Sequence, residues 1–354
     1  MSPEKKSGSA SQPGSVTQKK ILAIALQGGG SHGAYTWGVL DALLADERIQ
    51  VEGFSGTSAG AMNATACAQG IIAGGNEKAR ETLATYWKKV GELGKNSFLQ
   101  PFPWNKQNHH YSLSDTPAFH FLQKLTTIFS PYQFNPFNYH PLRSIIEELF
   151  DFKLLQEKSH LCKLFLCATH VATGKLKIFK EDELTADAVL ASACVPHIFQ
   201  AVQVNGEFYW DGGFIGNPAI YPLIYGCDTP DILIIQIRRV YDPVIPTTAH
   251  EIQNRLGEIT QNACLTREMR SIDFISKLID QGVVPPGKLK RLHIHILRDD
   301  AFWGTIDRAS GFCADPEFLD YLFKAGHRAG KNWLAENYDS IGVKTTAHIE
   351  EDFI

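Results

Sequence analysis

The sequence of 354 residues has no apolar run able to cross a bilayer. Its longest purely aliphatic stretch, Ile21 to Leu26, falls far short of the ~20 residues a spanning helix needs. A long basic run is also missing. Lys+Arg 34 against Asp+Glu 38 leaves a net charge of −4, so the electrostatic footprint of a nucleic-acid binder is absent. Small, neutral or lipid-like partners fit better, with peripheral contact at a membrane surface left open. Residues 1–19, rich in Ser, Lys, Gln, Gly and Pro, hold no apolar h-region and read as a disordered polar tail without a standard signal peptide. The expected address is cytoplasmic. Seven cysteines form an odd set without C-x-x-C spacing, and several lie in apolar runs; this suits a reducing compartment and not a structural zinc. At 44% hydrophobic and 20% charged residues, disordered, collagenous and coiled-coil classes are excluded too.

What the chain does contain is an alternation of strand and helix signals. Ile21 to Leu26 is continuously apolar, as a strand buried on both faces of a mainly parallel sheet must be. Glycines follow, and then Gly33 to Ala45 with Trp37, Leu40, Leu43 and Leu44 at helical spacing. A second unit repeats the order: a strand near Val51 to Ser55, a Gly-Thr-Ser-Ala-Gly turn, and an alanine-rich helix from about Ser58 to Ile72. Further strands are expected at Lys163 to Thr169, Leu176 to Phe179, Ile232 to Arg238 and Leu292 to Leu297. Helices are expected near Leu184 to Ala193, after Pro246 to about Asp280, and from about Pro316 to Asn337. The pattern predicts one α/β domain over 20–340 with helices on both faces of the sheet and a helical C-terminal part over 246–340. Residues 341–354, with Glu350-Glu351-Asp352, read as a solvated tail. Residues 98–140 hold eleven of the chain's 38 aromatics, which suits either a packed insert or a lid or lipid-facing rim.

Three segments can carry chemistry. Gly28-Gly29-Gly30-Ser31-His32-Gly33 joins a buried strand to a helix, where backbone N–H groups point along the positive end of the helix dipole and bind anions. It also satisfies G-x-G-x-x-G, with Glu52 placed where a dinucleotide fold wants its ribose acid. Gly56-Thr57-Ser58-Ala59-Gly60 is G-x-S-x-G between a strand and a small-residue helix, the setting in which a sharp turn exposes a serine hydroxyl; the plain alternative is a helix N-cap. Asp211-Gly212-Gly213 follows the aromatic Phe208-Tyr209-Trp210 and precedes Asn217-Pro218, which reads as an N-cap with proline at the first helical position. Its plain alternative is an ordinary Asp-Gly turn.

In this order the three segments resemble the patatin-like phospholipase family, whose members carry G-G-G-x-[RK]-G, G-x-S-x-G and D-G-[GA]. Ala191-Ser192-Ala193-Cys194-Val195-Pro196 is similar to the helix-to-proline segment the family places before its dyad aspartate. The resemblance spans about residues 20 to 225. It implies a three-layer α/β/α fold and a serine acyl hydrolase of lipid esters, of phospholipase A or lysophospholipase type, without cofactor or metal. It further implies Ser58 as nucleophile, Asp211 as general base, and the N–H groups of Gly28, Gly29 and Gly30, with Ala59 added, as the oxyanion hole. Gly33, Gly56, Gly60, Gly212 and Gly213 complete the motifs. His32 departs from the pattern, which has Arg or Lys there; a neutral imidazole supplies less positive potential, so local packing or hydrogen bonding is expected of it. Some bacterial relatives leave the cell by specialised secretion, a route the missing h-region does not close.

Two other enzymes compete. A Ser-His-Asp triad of α/β-hydrolase type needs a late histidine, and His293, His295 and His327 are available. A dinucleotide-dependent oxidoreductase would use Gly28-x-Gly30-x-x-Gly33 with Glu52. A lipid-binding protein with an idle site is the non-enzymatic alternative. His293 and His295 share a strand face and read as packing residues, and the adjacent His109-His110 pair lacks the spacing of a metal site.

Overall fold

The computed structural model describes residues 19–107 and 111–354; the first 18 residues of the expected tail and the His109-His110 pair lie outside the described residues. One sheet contains β1 (Lys20–Leu26), β2 (Ile49–Thr57), β3 (Lys163–His170), β4 (Leu176–Phe179), β5 (Val202–Val204), β6 (Glu207–Asp211), β7 (Asp231–Ile235) and β8 (His293–Leu297). Hydrogen-bonded neighbours run β5-β6-β3-β2-β1-β7-β8, with β4 also paired to β3. Strands β3, β2, β1, β7 and β8 are parallel, and β4, β5 and β6 add antiparallel pairs at one side. The sheet is mixed and mainly parallel, as expected.

Residue alternation explains the unbroken apolar runs. Successive side chains of a strand point to opposite faces. Leu22, Ile24 and Leu26 of β1 join a core cluster with Leu40 and Leu43 of α1 (Gly33–Leu44) and Trp333 of the helix Pro316–Asn337. Ala23 and Ala25 join a second cluster with Leu265, Met269 and Ile272 of the helix Ala249–Asp280. β7 repeats the division, Leu233 and Ile235 to the first cluster and Ile232 and Ile234 to the second. A strand that is apolar at every position therefore requires a helical layer on each side. Among the described residues, no helix is long and apolar enough to cross a membrane.

The register around β3 positions the candidate site. β2 pairs with β3 up to Thr57↔Cys167, and β4 pairs with Leu166 to Thr169. Because β2 and β4 both pair with Leu166 and Cys167, they occupy opposite edges of β3. β6 pairs with Ala168, Thr169 and His170, two of which already have β4 on one edge, so β6 lies on the same edge as β2. The strands β2 and β6 thus meet head-on. Thr57 ends one opposite Cys167 and Asp211 ends the other opposite Ala168, which brings Ser58 to Asp211.

The structure departs from the sequence reading in two places. Asn217-Pro218 does not open a helix, which begins at Tyr221; the Asn217 side chain is committed to Gly28 instead. The C-terminal residues are docked rather than solvated along their whole length. Thr346 and Ala347 N–H groups donate to Ile294 O (3.0 and 3.1 Å), Ile349–Phe353 is a short helix, and Phe353 is buried in the second cluster. A single apolar anchor beside three acids leaves no periodic trace in sequence. In the aromatic segment Tyr111, Leu113 and Phe119 are buried, whereas Phe121, Tyr132, Phe137 and Tyr139 are 57–94% exposed, so it combines packed and outward-facing rings.

α1 and the helix Pro316–Asn337 cross at backbone contact. A Cβ at Gly326 would run into the Tyr35 carbonyl oxygen, and one at Gly38 into that of Phe323. Neither obstacle is a flexible side chain, so an added group must push the helices apart. Gly326→Val should lower the thermal unfolding temperature by several degrees, since overpacking costs about 1–3 kcal/mol. An unchanged melting curve would mean that this crossing has slack.

Candidate active site

Ser58 sits between β2 and α2 (Ala59–Gly74) with φ 55° and ψ −123°, a conformation that is strained for any residue with a Cβ. The neighbouring glycines make the bend possible. A Cβ at Gly56 would lie 2.5 Å from Gly60 O, and one at Gly60 would collide with Leu26 O. Ser192 then holds the turn: its hydroxyl accepts from Ser58 N–H (3.0 Å) and donates to Cys167 O (2.6 Å). Ser58 is partly exposed, so its hydroxyl is open to approach from outside. The plain N-cap reading fails here, because Ser58 makes no side-chain cap hydrogen bond.

Asp211 is 7% exposed and tied down by its backbone. Its N–H donates to Cys194 O (2.8 Å), and its carbonyl accepts from Thr169 Oγ1 (2.8 Å). The carboxylate Oδ1 accepts from Gly213 N–H (2.7 Å). Burial pushes its pKa up to about 6, against the weaker lowering effects of hydrogen bonds from Gly213 N–H and the Ser58 hydroxyl. An ordinary carboxylate is too weak a base for a serine, and desolvation corrects this in the required direction.

The glycine-rich loop lies against Ser58. A Cβ at Gly28 would stand 2.7 Å from Ser58 Cβ and 2.5 Å from Thr57 O. Gly28 nevertheless has to be removed from the set of oxyanion donors. Its N–H donates to Asn217 Oδ1 (2.7 Å), which anchors the loop to the segment after Asp211. Among the described residues the N–H groups of Gly29, Gly30 and Ala59 have no such acceptor, so they remain open donors in the glycine loop and at the start of α2. Gly33 packs on the other side of Ala59, where a Cβ would come within 2.7 Å of Ala59 Cβ. Gly212 lies against Cys167, at the point where β2 and β6 meet.

His32 is buried, with Nε2 2.8 Å from Ser310 Oγ and Nδ1 3.3 Å from Arg238 Nη1. Burial, and then Arg238 and Arg308, hold its pKa well below the usual imidazole range. It hydrogen-bonds locally, as expected, and carries no charge.

The rival assignments lose their residues to other partners. Glu52 stands near the start of β2, away from the glycine loop, and its carboxylate accepts from Lys163 Nζ (2.7 Å), Asp228 N–H (2.6 Å) and Thr229 N–H (2.8 Å). It is a structural tie, not a ribose acid. His295 bonds Asp231 (3.0 Å) and Thr346 (2.9 Å), and His293 Nδ1 lies 3.3 Å from the same aspartate. By register, His295 sits three strands and four residue levels from Ser58, roughly 20 Å at the usual strand spacings. His327 Nδ1 lies 3.1 Å from Asp41 Oδ2 in a cleft of about 410 Å³ lined by neither Ser58 nor Asp211. None of His293, His295 and His327 is therefore placed to act with Ser58. Sequence reasoning missed the roles of Ser192, Asn217 and Arg238. Ser192 and Asn217 lay inside quoted segments without an assigned task, and Arg238 showed only as the polar end of an apolar strand.

Comparison with protein families matches residues 24–224 to the patatin-like phospholipase model. Among solved structures, the chain is similar to VipD from Legionella pneumophila at 16% identity, covering 88% of this chain and 67% of that one with a TM-score of 0.34. It is also similar to the heterodimeric complex ExoU-SpcU from the type III secretion system of Pseudomonas aeruginosa, at 18% identity over 70% of this chain and 51% of that one, with a TM-score of 0.30. The chain therefore spans about half of that second protein's length. No curated protein matches it.

The buried carboxylate has a consequence for stability. With a native pKa of about 6 against an ordinary 3.8, ionised Asp211 costs stability, and the cost builds as pH rises from about 4 through 6 and vanishes below about pH 4. Asp211→Asn should thus be more stable than the parent at pH 8, by up to roughly 3 kcal/mol, and nearly equal to it at pH 4. Denaturant titrations at the two pH values read this directly, and a variant less stable at pH 8 would contradict it.

Proposed function

The chain belongs to the patatin-like phospholipase family, and from that membership we propose that it is a serine acyl hydrolase of phospholipid or lysophospholipid carboxylic esters, working through Ser58 and Asp211. The observation that carries the reading is the head-on meeting of β2 and β6 on one edge of β3. It supports a two-residue site because the serine and the raised-pKa carboxylate are neighbours with no imidazole between them.

In the first half-reaction Ser58 Oγ attacks the ester carbonyl carbon as its proton passes to Asp211. Negative charge then develops on the carbonyl oxygen, and the N–H groups of Gly29, Gly30 and Ala59 are the donors proposed to stabilise it. Collapse breaks the bond to the alcohol, which leaves with the proton from Asp211 and deposits the acyl group on Ser58. In the second half-reaction Asp211 takes a proton from water, the resulting hydroxide attacks the acyl carbonyl, and the fatty acid departs as Ser58 regains its proton. No cofactor takes part in any step.

The outward-facing rings suit a substrate held in a lipid surface. The Tyr132 hydroxyl oxygen accepts from Ala201 N–H (3.3 Å), and Gln200 donates to Asn135 O (2.8 Å). These contacts join the aromatic segment to the chain that leads from Ser192 to Asp211. Phe121, Phe137 and Tyr139 project from a segment tied to the chain that leads to Asp211, and exposed aromatic side chains favour a membrane interface.

Ser58→Ala should abolish fatty-acid release from phospholipid or lysophospholipid and labelling by a fluorophosphonate probe, and Asp211→Asn should lower kcat by about 10²–10⁴-fold. In the parent protein, kcat/KM should rise with pH through about 6 as Asp211 becomes the free base. Labelling retained in Ser58→Ala, or a flat profile between pH 5 and 7, would overturn the assignment.

A further inference from the structure

The motif position that carries Arg or Lys in the family is here His32, and its surroundings define what it does. An arginine can only donate, so the contact with Arg238 Nη1 makes His32 Nδ1 the acceptor and puts the ring proton on Nε2. Nε2–H then points to Ser310 Oγ, whose own hydroxyl donates to Asp307 O (2.6 Å). Every proton in the chain is accounted for with a neutral imidazole of one tautomer.

The guanidinium held this way lies at the oxyanion loop. A Cβ added to Gly29 would stand 3.0 Å from Arg238 Nη2 and 3.4 Å from its Cζ. Arg238 is 9% exposed, and its Nε is buried without a partner. Among the described residues no carboxylate is within salt-bridge reach of it. Glu258, the one acid that attracts it, is engaged by Arg255 (3.0 Å) and Arg239 (3.8 Å). Arg308, itself largely buried, repels it; burial and that repulsion pull its pKa down to about 10, which still leaves it charged at neutral pH. A buried cation with no counter-charge is costly to folding. Such costs persist where the charge is used.

We propose that Arg238 supplies the positive potential of the oxyanion loop in place of a cation at position 32, with His32 as the neutral acceptor that seats its guanidinium against Gly29. The proposal rests on the Ser58–Asp211 reading. It accounts for the departure from the family motif, since Arg or Lys at 32 would face both Arg238 and Arg308. Arg238 is a positioning residue that acts through the loop. A fixed positive charge behind the Gly29 and Gly30 donors favours the oxyanion over the neutral ester, so it raises kcat and leaves substrate binding nearly unchanged.

Steady-state hydrolysis of a neutral short-chain p-nitrophenyl ester tests this in the full chain. Arg238→Gln should lower kcat by about 10–100-fold with KM within about threefold, and Arg238→Lys should recover much of the loss. The melting temperature of Arg238→Gln should equal or exceed that of the parent, because an uncompensated buried charge is gone. His32→Arg should reproduce the kcat defect, while His32→Gln, which keeps a neutral acceptor, should retain more activity. An unchanged kcat in Arg238→Gln overturns the proposal. So does a kcat loss that follows a fall in melting temperature and is not rescued by lysine, since that marks a purely structural arginine. Fluorophosphonate labelling of the parent reads Ser58 separately. A parent that does not label overturns the dyad reading, whereas a labelled parent with an unaffected Arg238→Gln variant overturns this proposal alone.

Discussion

The carbonyl and amide groups at one edge of β3 are shared between two strands that run toward each other, and the whole candidate site depends on that sharing. Once Thr57 has paired with Cys167 and Asp211 with Ala168, hydrogen-bond register alone makes the serine and the carboxylate neighbours. The meeting point needs its own ties, because neither strand can continue through the other. Ser192 bridges Ser58 N–H to Cys167 O, and Thr169 holds the Asp211 carbonyl. On the other side of Ser58, Thr57 Oγ1 donates to Gly216 O (2.6 Å) and Ser55 Oγ to Ala219 O (2.7 Å). These bonds stitch the segment after Asp211 across the end of β2, and Asn217 carries the stitching on to Gly28.

Two buried charges of opposite sign flank this junction, and neither has a salt-bridge partner among the described residues. Asp211 is raised in pKa and Arg238 lowered, each chiefly by burial. An isolated charge in a low-dielectric interior is destabilising, yet the same low dielectric strengthens its action on a nearby reacting group. The helical layers on both faces of the sheet provide the apolar burial that offsets these local costs. Strain at Ser58, desolvation at Asp211 and repulsion between Arg238 and Arg308 therefore concentrate in one region of an otherwise locally consistent fold.

Much of the architecture was legible in the residues. The continuous apolar run of β1 foretold burial on both faces, and the glycines of Gly56-Thr57-Ser58-Ala59-Gly60 foretold a bend too tight for side chains. The helix Pro316–Asn337 matched its periodic signal and its opening proline. Where the reading failed, the deciding contact was a lone long-range one. Phe353 reaches the second core cluster from an acidic end, and Asn217 caps no helix because Gly28 N–H, far away in sequence, claims its oxygen. Glu52 had the right spacing for a ribose acid, but spacing does not say which end of a strand a residue occupies.

By itself, the sequence determined the layer order, the tight turn at Ser58 and the three motif segments, because periodicity and glycine placement act within a few residues along the chain. Only the tertiary structure decided which groups in those segments remain open. Gly28 and Gly29 are identical in sequence terms, yet one N–H is consumed by Asn217 and the other has no such acceptor among the described residues. His32 and Arg238 are likewise separate residues in the sequence, and become one hydrogen-bonded unit only where β7 ends beside the loop after β1. Hydrogen-bond satisfaction and charge compensation are settled between elements distant in the chain, so local pattern cannot reveal them.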